Sequence, residues 1–194
     1  MEIILHRINQ IELLKTTSQN YGVEIDIRTF GENLIINHEP FQGGDLFKDW
    51  IKNYNHKTLI LNIKEEGLEE EILFYLNKYS INTYFFLDQS FPSLIRNNHK
   101  INYKYSLRVS DYESIETAFK FKDKVDWIWL DIFHEFIFTK KDILNLKNNN
   151  FKICLSSPEL NNTSKVNIES IKKIIKRDNI EFDAVCTKYP SLWE

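Results

Sequence analysis

The sequence predicts an α/β protein, a compact TIM (βα)8 barrel forming one domain over residues 1–194, and three observations carry that expectation. Eight apolar runs with strand character begin near Glu2, Gly22, Lys57, Asn82, Tyr103, Val125, Phe151 and Glu181. Each of the first seven is followed by an amphipathic or polar stretch of helical length. Strands alternating with helices imply a parallel sheet, and eight such strands are the number that closes a barrel. The 194 residues, 42% hydrophobic and 14% aromatic, suffice for a sizeable core, and no repeat, low-complexity tract or linker divides them.

The helical stretches run over 10–19, 44–53, 68–79, 91–98, 111–121, 139–147 and 166–177. In the third, Glu69, Glu70 and Glu71 fill the first turn, where acids suit the helix dipole, and Ile72, Leu73 and Leu76 follow at spacings that make a buried stripe. An eighth helix is expected to be missing, and a chain shorter than the usual barrel of about 250 residues implies short loops.

Charge and cysteine usage narrow the function classes. A formal charge of -3 gives no basic footprint for nucleic acid. No apolar run approaches the roughly 20 residues of a membrane span, and the N-terminus enters a strand with no basic, small-residue leader, so a cytoplasmic protein is expected. Cys154 and Cys186 each lie in an apolar run and are expected to be free thiols acting as small hydrophobes. The oligomeric state is open.

In a barrel the C-terminal ends of the strands face the active site. The residues expected there are His6 and Arg7; Glu24, Asp26 and Arg28; Asn62 and Lys64; Asp88 and Ser90; Arg108 and Ser110; Asp131; Ser156 and Glu159; and Thr187 and Lys188. Any one polar strand end is explained by solvent, but cations and acids converging from all eight favour an anionic substrate. The second strand is the sharpest case. Side chains alternate faces along a strand, so Glu24, Asp26 and Arg28 share one face and Val23, Ile25 and Ile27 the other. Unpaired buried charge is costly, so a hard cation or a phosphate would complete that face. The alternative is a structural ion-pair cluster of Glu24 and Asp26 with Arg28 and Lys64. His56 and His99 lie in polar turns and are expected to be solvated; His134, past the sixth strand, is left open.

His6-Arg7, Glu24-x-Asp26 and His38 followed by an acid resemble, in order and spacing, the start of the glycerophosphodiester phosphodiesterases, relatives of phosphatidylinositol-specific phospholipase C. Thr187-Lys188-Tyr189-Pro190 is similar to the Thr-Asp-x-Pro that ends the family's closing strand. The chain departs from the pattern at Ile8 for glycine, Glu39 for aspartate, Lys188 for aspartate and Asn62 for the third-strand glutamate. The resemblance implies a TIM barrel with His6 and His38 as catalytic acid and base. It implies Mg²⁺ or Ca²⁺ held by Glu24, Asp26 and, through its amide oxygen, Asn62. Arg7, Arg28, Lys64 and Arg108 would bind phosphate, and Asp88, Asp131 and Glu159 would be additional rim residues. The expectation is thus a metal-dependent phosphodiesterase-like hydrolase acting on a small phosphodiester or phosphorylated metabolite. Its rivals are a non-catalytic anion-binding barrel and a sugar-phosphate lyase or isomerase using Asp131, Asp88 and Lys64.

Overall fold

The computed structural model describes residues 1–97, 104–161 and 167–194. Asn98, His99, Lys100, Tyr103 and Val166 lie outside the described residues, and with them the expectation for His99.

In chain order the elements are β1 Glu2–Leu5, α1 Ile11–Thr16, β2 Gly22–Phe30, β3 Asn33–Ile36, β4 Asp45–Leu46, α2 Phe47–Trp50, β5 Leu59–Ile63, α3 Glu69–Lys78, β6 Tyr84–Leu87, α4 Phe91–Asn97, β7 Ser106–Val109, α5 Ile115–Lys120, β8 Trp127–Leu130, α6 Lys140–Asn148, β9 Lys152–Ser156, α7 Ile168–Asp178 and β10 Ala184–Thr187. A strand stands in each of the eight expected runs and a helix in each of the seven expected stretches; β3 and β4 are additional. The stretch 44–53 is shared between β4, the single turn α2 and a 3-10 turn, Ile51–Asn53. The chain forms two compact units, Leu5–Tyr103 and Met1–Ile4 with Lys104–Glu194.

In the unit Leu5–Tyr103, β2 pairs in parallel with β5 and β5 with β6, and the register sets Asp26 beside Asn62 and Asn62 beside Leu87. β3 returns antiparallel along β2 after the two-residue loop Gly31-Glu32, and β4 pairs antiparallel with β3. Gly31 has φ +63, which a two-residue hairpin demands and glycine supplies without strain. Gly44 is needed for another reason: a Cβ there would stand 2.3 Å from the Ile36 carbonyl oxygen. In α3, Ile72, Leu73 and Leu76 are buried as the spacing predicts, and Leu76→Ala should cost about 2–5 kcal/mol.

In the other unit the strand order is β1-β10-β9-β8-β7, with β10, β9, β8 and β7 paired in parallel. Cys154 and Cys186 are free and wholly buried, and burial pushes the Cys154 thiol well above its ordinary value. α6 begins with a capping box in which Thr139 and Asp142 satisfy each other's backbone N–H groups. α7 is capped by Asn167, whose side chain accepts from Ser170 N, and closed by left-handed Asn179. After β10 comes a 3-10 turn, Pro190–Leu192. No described helix is long and apolar enough to cross a membrane.

Candidate active site

Glu24 and Asp26 have no solvent exposure at all, and their partners define the site. Arg7, just past β1, takes a left-handed backbone with φ 58, unusual for a residue with a Cβ. That turn aims its N–H at Glu24 Oε2, 2.7 Å away, and its Nε lies 3.5 Å from Asp26 Oδ2. Asn9 grips Asp26 twice, donating from Nδ2 to Oδ2 at 2.8 Å and accepting from the Asp26 N–H at 3.0 Å. Asn62 donates to Glu24 Oε1 at 3.0 Å and accepts from Lys64 Nζ at 2.9 Å. Lys64 Nζ also lies 3.0 Å from Asp26 Oδ1, as an ion pair outside hydrogen-bond geometry. The shared face of β2 is therefore real, and its charge is answered by Lys64 and Arg7.

The two carboxyls are driven apart electrostatically. Burial and then the Asp26 charge push Glu24 up to about 8, against the opposing effect of Arg7 N–H, Asn62 and Lys64. Burial acts on Asp26 too, but Lys64, Asn9 and Arg7 outweigh it and hold the carboxyl below its ordinary value. At neutral pH Glu24 is mostly protonated and Asp26 ionised, facing two cations. That balance suits an anion.

His6 is nearly buried, with Nε2 3.9 Å from Glu24 Oε2. His38 Nδ1 lies 2.7 Å from Glu39 Oε1, and since an ionised carboxylate only accepts, Nδ1 carries the hydrogen. Glu39 is held below its ordinary value first by His38 and also by the Arg7 and Arg28 charges, which sets this pair in the field of both guanidinium groups. Arg28 donates from Nε to Asn37 O at 3.1 Å and from Nη2 to His38 O at 2.9 Å, with Nη1 3.9 Å from Glu65. Arg28, expected as a phosphate ligand, fastens the segment that carries His38. A cavity of about 350 Å³ is lined by Asn9, Asn37, Gly43, Gly44 and Asp45 among others, but by none of Arg7, Lys64, His6 or His38.

Several residues escape sequence reasoning. Asn9 is one; its signal is an amide two residues past Arg7. Gln89, two residues beyond β6, has both amide atoms buried without a hydrogen-bond partner among the described residues. Ile8, where the resembled family has glycine, is a core residue whose carbonyl accepts from the buried Trp50 indole at 3.0 Å. His56 is a correction: it is half-buried, 3.1 Å from Thr17 O and packed near Tyr54, and burial lowers its pKa.

Asp88 is exposed with φ 64. In the other unit, Arg108 Nη1 pairs with buried Asp131 at 2.5 Å, and Asn161 donates to the second Asp131 oxygen. Glu159 accepts from Ser157, from Thr187 at 2.5 Å and from Lys188 N–H at 3.0 Å, tying the end of β9 to the end of β10. His134 meets Asp111 through its N–H at 2.9 Å and Tyr112 through Nδ1 at 3.2 Å. A cleft of about 1060 Å³ in this unit, between α7 and the segment through Trp193, is lined by Glu159 but by neither histidine candidate.

The donor set at Glu24, Asp26 and Asn62 does not fit a hard divalent cation as it stands. Such ions take several anionic or carbonyl oxygens at about 2.0–2.6 Å. Here the Asn62 carbonyl already accepts from Lys64, whose ammonium also faces Asp26. Among the described residues no group of three His, Cys, Asp or Glu side chains converges as a metal site.

No protein-family model matches the sequence, and neither does any curated protein. Solved structures do share its fold. A chain from Agrobacterium tumefaciens assigned as a glycerophosphoryl diester phosphodiesterase superposes with a TM-score of 0.69 at 11% identity, over 99% of this chain and 95% of that one. A glycerophosphoryl diester phosphodiesterase from Parabacteroides distasonis gives 0.63 at 13%, over 98% and 84%. A phosphoribosylanthranilate isomerase from Thermotoga maritima gives 0.54 at 13%, over 96% and 86%. The fold is that of the TIM barrels, as the strand pattern predicts, and it resembles the phosphodiesterases over nearly the whole chain.

Proposed function

We propose that this chain is a phosphodiesterase-like hydrolase acting on a small phosphodiester, with its chemistry at the rim where Arg7, Lys64, His6 and His38 stand. The observation that carries the proposal is the buried Asp26 carboxylate holding two cations, Lys64 at 3.0 Å and Arg7 at 3.5 Å, in a segment that also carries both histidines. The fold shared with phosphodiesterases supports it. The phosphate's charged oxygens would lie against the Arg7 guanidinium, which is 41% exposed, and the Lys64 ammonium. Asp26, itself fixed by Asn9, positions both cations.

With the hydrogen on Nδ1 fixed by Glu39, neutral His38 presents Nε2 as a lone pair, which suits a general base drawing a proton from the attacking water. His6 is then the general acid that protonates the departing oxygen. Arg28 holds the His38 segment in place. The free, buried thiols Cys154 and Cys186 suit a reducing compartment, and we place the chain in the cytoplasm.

A screen of small diesters tests the proposal: at least one should be hydrolysed, with a bell-shaped pH profile from an acid and a base. The second reading, an anion-binding barrel without catalysis, is favoured by one observation, the neutral Asn62 in the cluster. Phosphate binding with no diester turned over would establish it instead. The lyase or isomerase reading loses ground because Asp131 is already bound by Arg108 and Asn161.

A further inference from the structure

We infer that the Lys64 ammonium is the resident cation of this site, taking the place of a divalent metal, and that the site binds a phosphate-class anion without added metal. The inference deepens the proposed function by naming what neutralises the ligand, and it stands on the arrangement around Asn62.

An amide is directional. Only its oxygen can face the Lys64 ammonium, which cannot accept, and that leaves its NH₂ for the Glu24 carboxyl group; Asn62 makes both contacts, at 2.9 Å and 3.0 Å. Its one metal-binding atom is thereby engaged by a cation. The same ammonium lies 3.0 Å from Asp26 Oδ1. A divalent ion using Asp26 and Asn62 oxygens would have to stand where Nζ stands, or within a few ångströms of it, against direct repulsion. A third carboxylate at position 62 would add the negative charge such an ion needs; asparagine removes that charge and keeps the hydrogen-bond relay. The Lys64 ammonium and the Arg7 guanidinium both face Asp26, so two cations stand ready for the oxygens of an anion and repel an added cation. The Arg7 guanidinium, 41% exposed, and the Lys64 ammonium, 17% exposed, leave such an anion an approach from solvent.

The test uses the full chain after chelator treatment and reads Tm and calorimetric binding with Mg²⁺, Ca²⁺ and inorganic phosphate in turn. A ligand that binds only the folded state raises Tm. For the wild type, phosphate alone should raise Tm by about 2–4 °C or more, and neither metal should shift it or produce binding heat. Lys64→Met should weaken phosphate binding at least about tenfold, and Lys64→Arg should retain most of it. Should Lys64→Met fail to fold, Asn62→Glu/Lys64→Ala provides the second arm. It recreates a three-carboxylate set without the ammonium and should gain a Mg²⁺- or Ca²⁺-dependent rise in Tm that the wild type lacks.

A metal-dependent rise in wild-type Tm, or phosphate binding that appears only with metal, would overturn the inference. Because no turnover is measured, metal-free phosphate binding without any diesterase activity would leave the inference standing and remove the proposed function. Diesterase activity that requires added Mg²⁺ would do the reverse.

Discussion

The polar strand ends of the two units look alike in sequence and behave differently in structure. In the unit containing β7 to β10, donors and acceptors close on one another: Arg108 and Asn161 on Asp131, and Ser157, Thr187 and Lys188 N–H on Glu159. In the unit containing β2 and β5, one ionised carboxylate faces two cations, a second carboxyl is pushed up to about 8, and two histidines stand alongside. The difference teaches that a converging set of polar side chains is not yet a site. A site needs a charge imbalance and titratable groups that the surrounding protein does not cancel.

The comparison breaks or holds first on activity. His6→Ala and His38→Ala should each lower kcat by on the order of 10²- to 10⁴-fold with little change in Tm, measured on whichever diester the screen yields. Next comes stability. Asp26→Ala leaves the Lys64 ammonium with a buried counter-charge removed and should cost about 3–5 kcal/mol, on the order of 10 °C in Tm. A drop of under a degree would mean that the cluster is solvated rather than buried.

The β7–β10 unit should respond in stability alone. Ser157 is fully buried and accepts from the Trp193 indole at 3.0 Å, so Ser157→Ala should cost about 1–3 kcal/mol by orphaning that N–H. Its kcat should match the wild type; a loss approaching that of the histidine variants would extend the active site into this rim.

The remaining effect is a pH slope. Glu24 has its folded pKa raised from 4.5 to about 8, so between those values the folded state holds a proton that the unfolded chain releases. This contribution is fully present below about 4.5 and disappears as pH rises through about 8. Asp26, shifted the other way, acts below its ordinary value and leaves that window untouched. Glu24→Gln should therefore melt at nearly the wild-type temperature near pH 4.5 and become progressively more stable than wild type toward pH 8. Parallel Tm curves for the two proteins across that range would remove the buried proton.

Much of this was legible in the sequence because it depends on period and order. The eight strand positions follow from apolar runs, and the shared face of Glu24, Asp26 and Arg28 follows from alternation along β2. The ion-pair alternative that joined Glu24 and Asp26 to Lys64 was equally readable. What escaped depends on partner choice in three dimensions. The β2–β3 hairpin had a local signal, Gly31-Glu32, but β4 is only two residues long and its pairing leaves no periodic trace. Asn9 reaches Asp26 because Arg7 turns left-handed, and no residue type announces that turn. The hold of Arg28 on the His38 segment escaped because its carbonyl partners, Asn37 and His38, are backbone groups that sequence does not display.

The most direct test of the central claim compares His6→Ala and His38→Ala on two diesters that differ only in the leaving group, an alkoxide and p-nitrophenolate. A leaving group that needs no proton bypasses the general acid. The account predicts that the p-nitrophenyl diester restores turnover by His6→Ala toward the wild-type rate and leaves His38→Ala impaired by at least about 10²-fold. Equal impairment of both variants on both diesters would contradict the assigned roles, and wild-type rates from both variants would contradict the site itself.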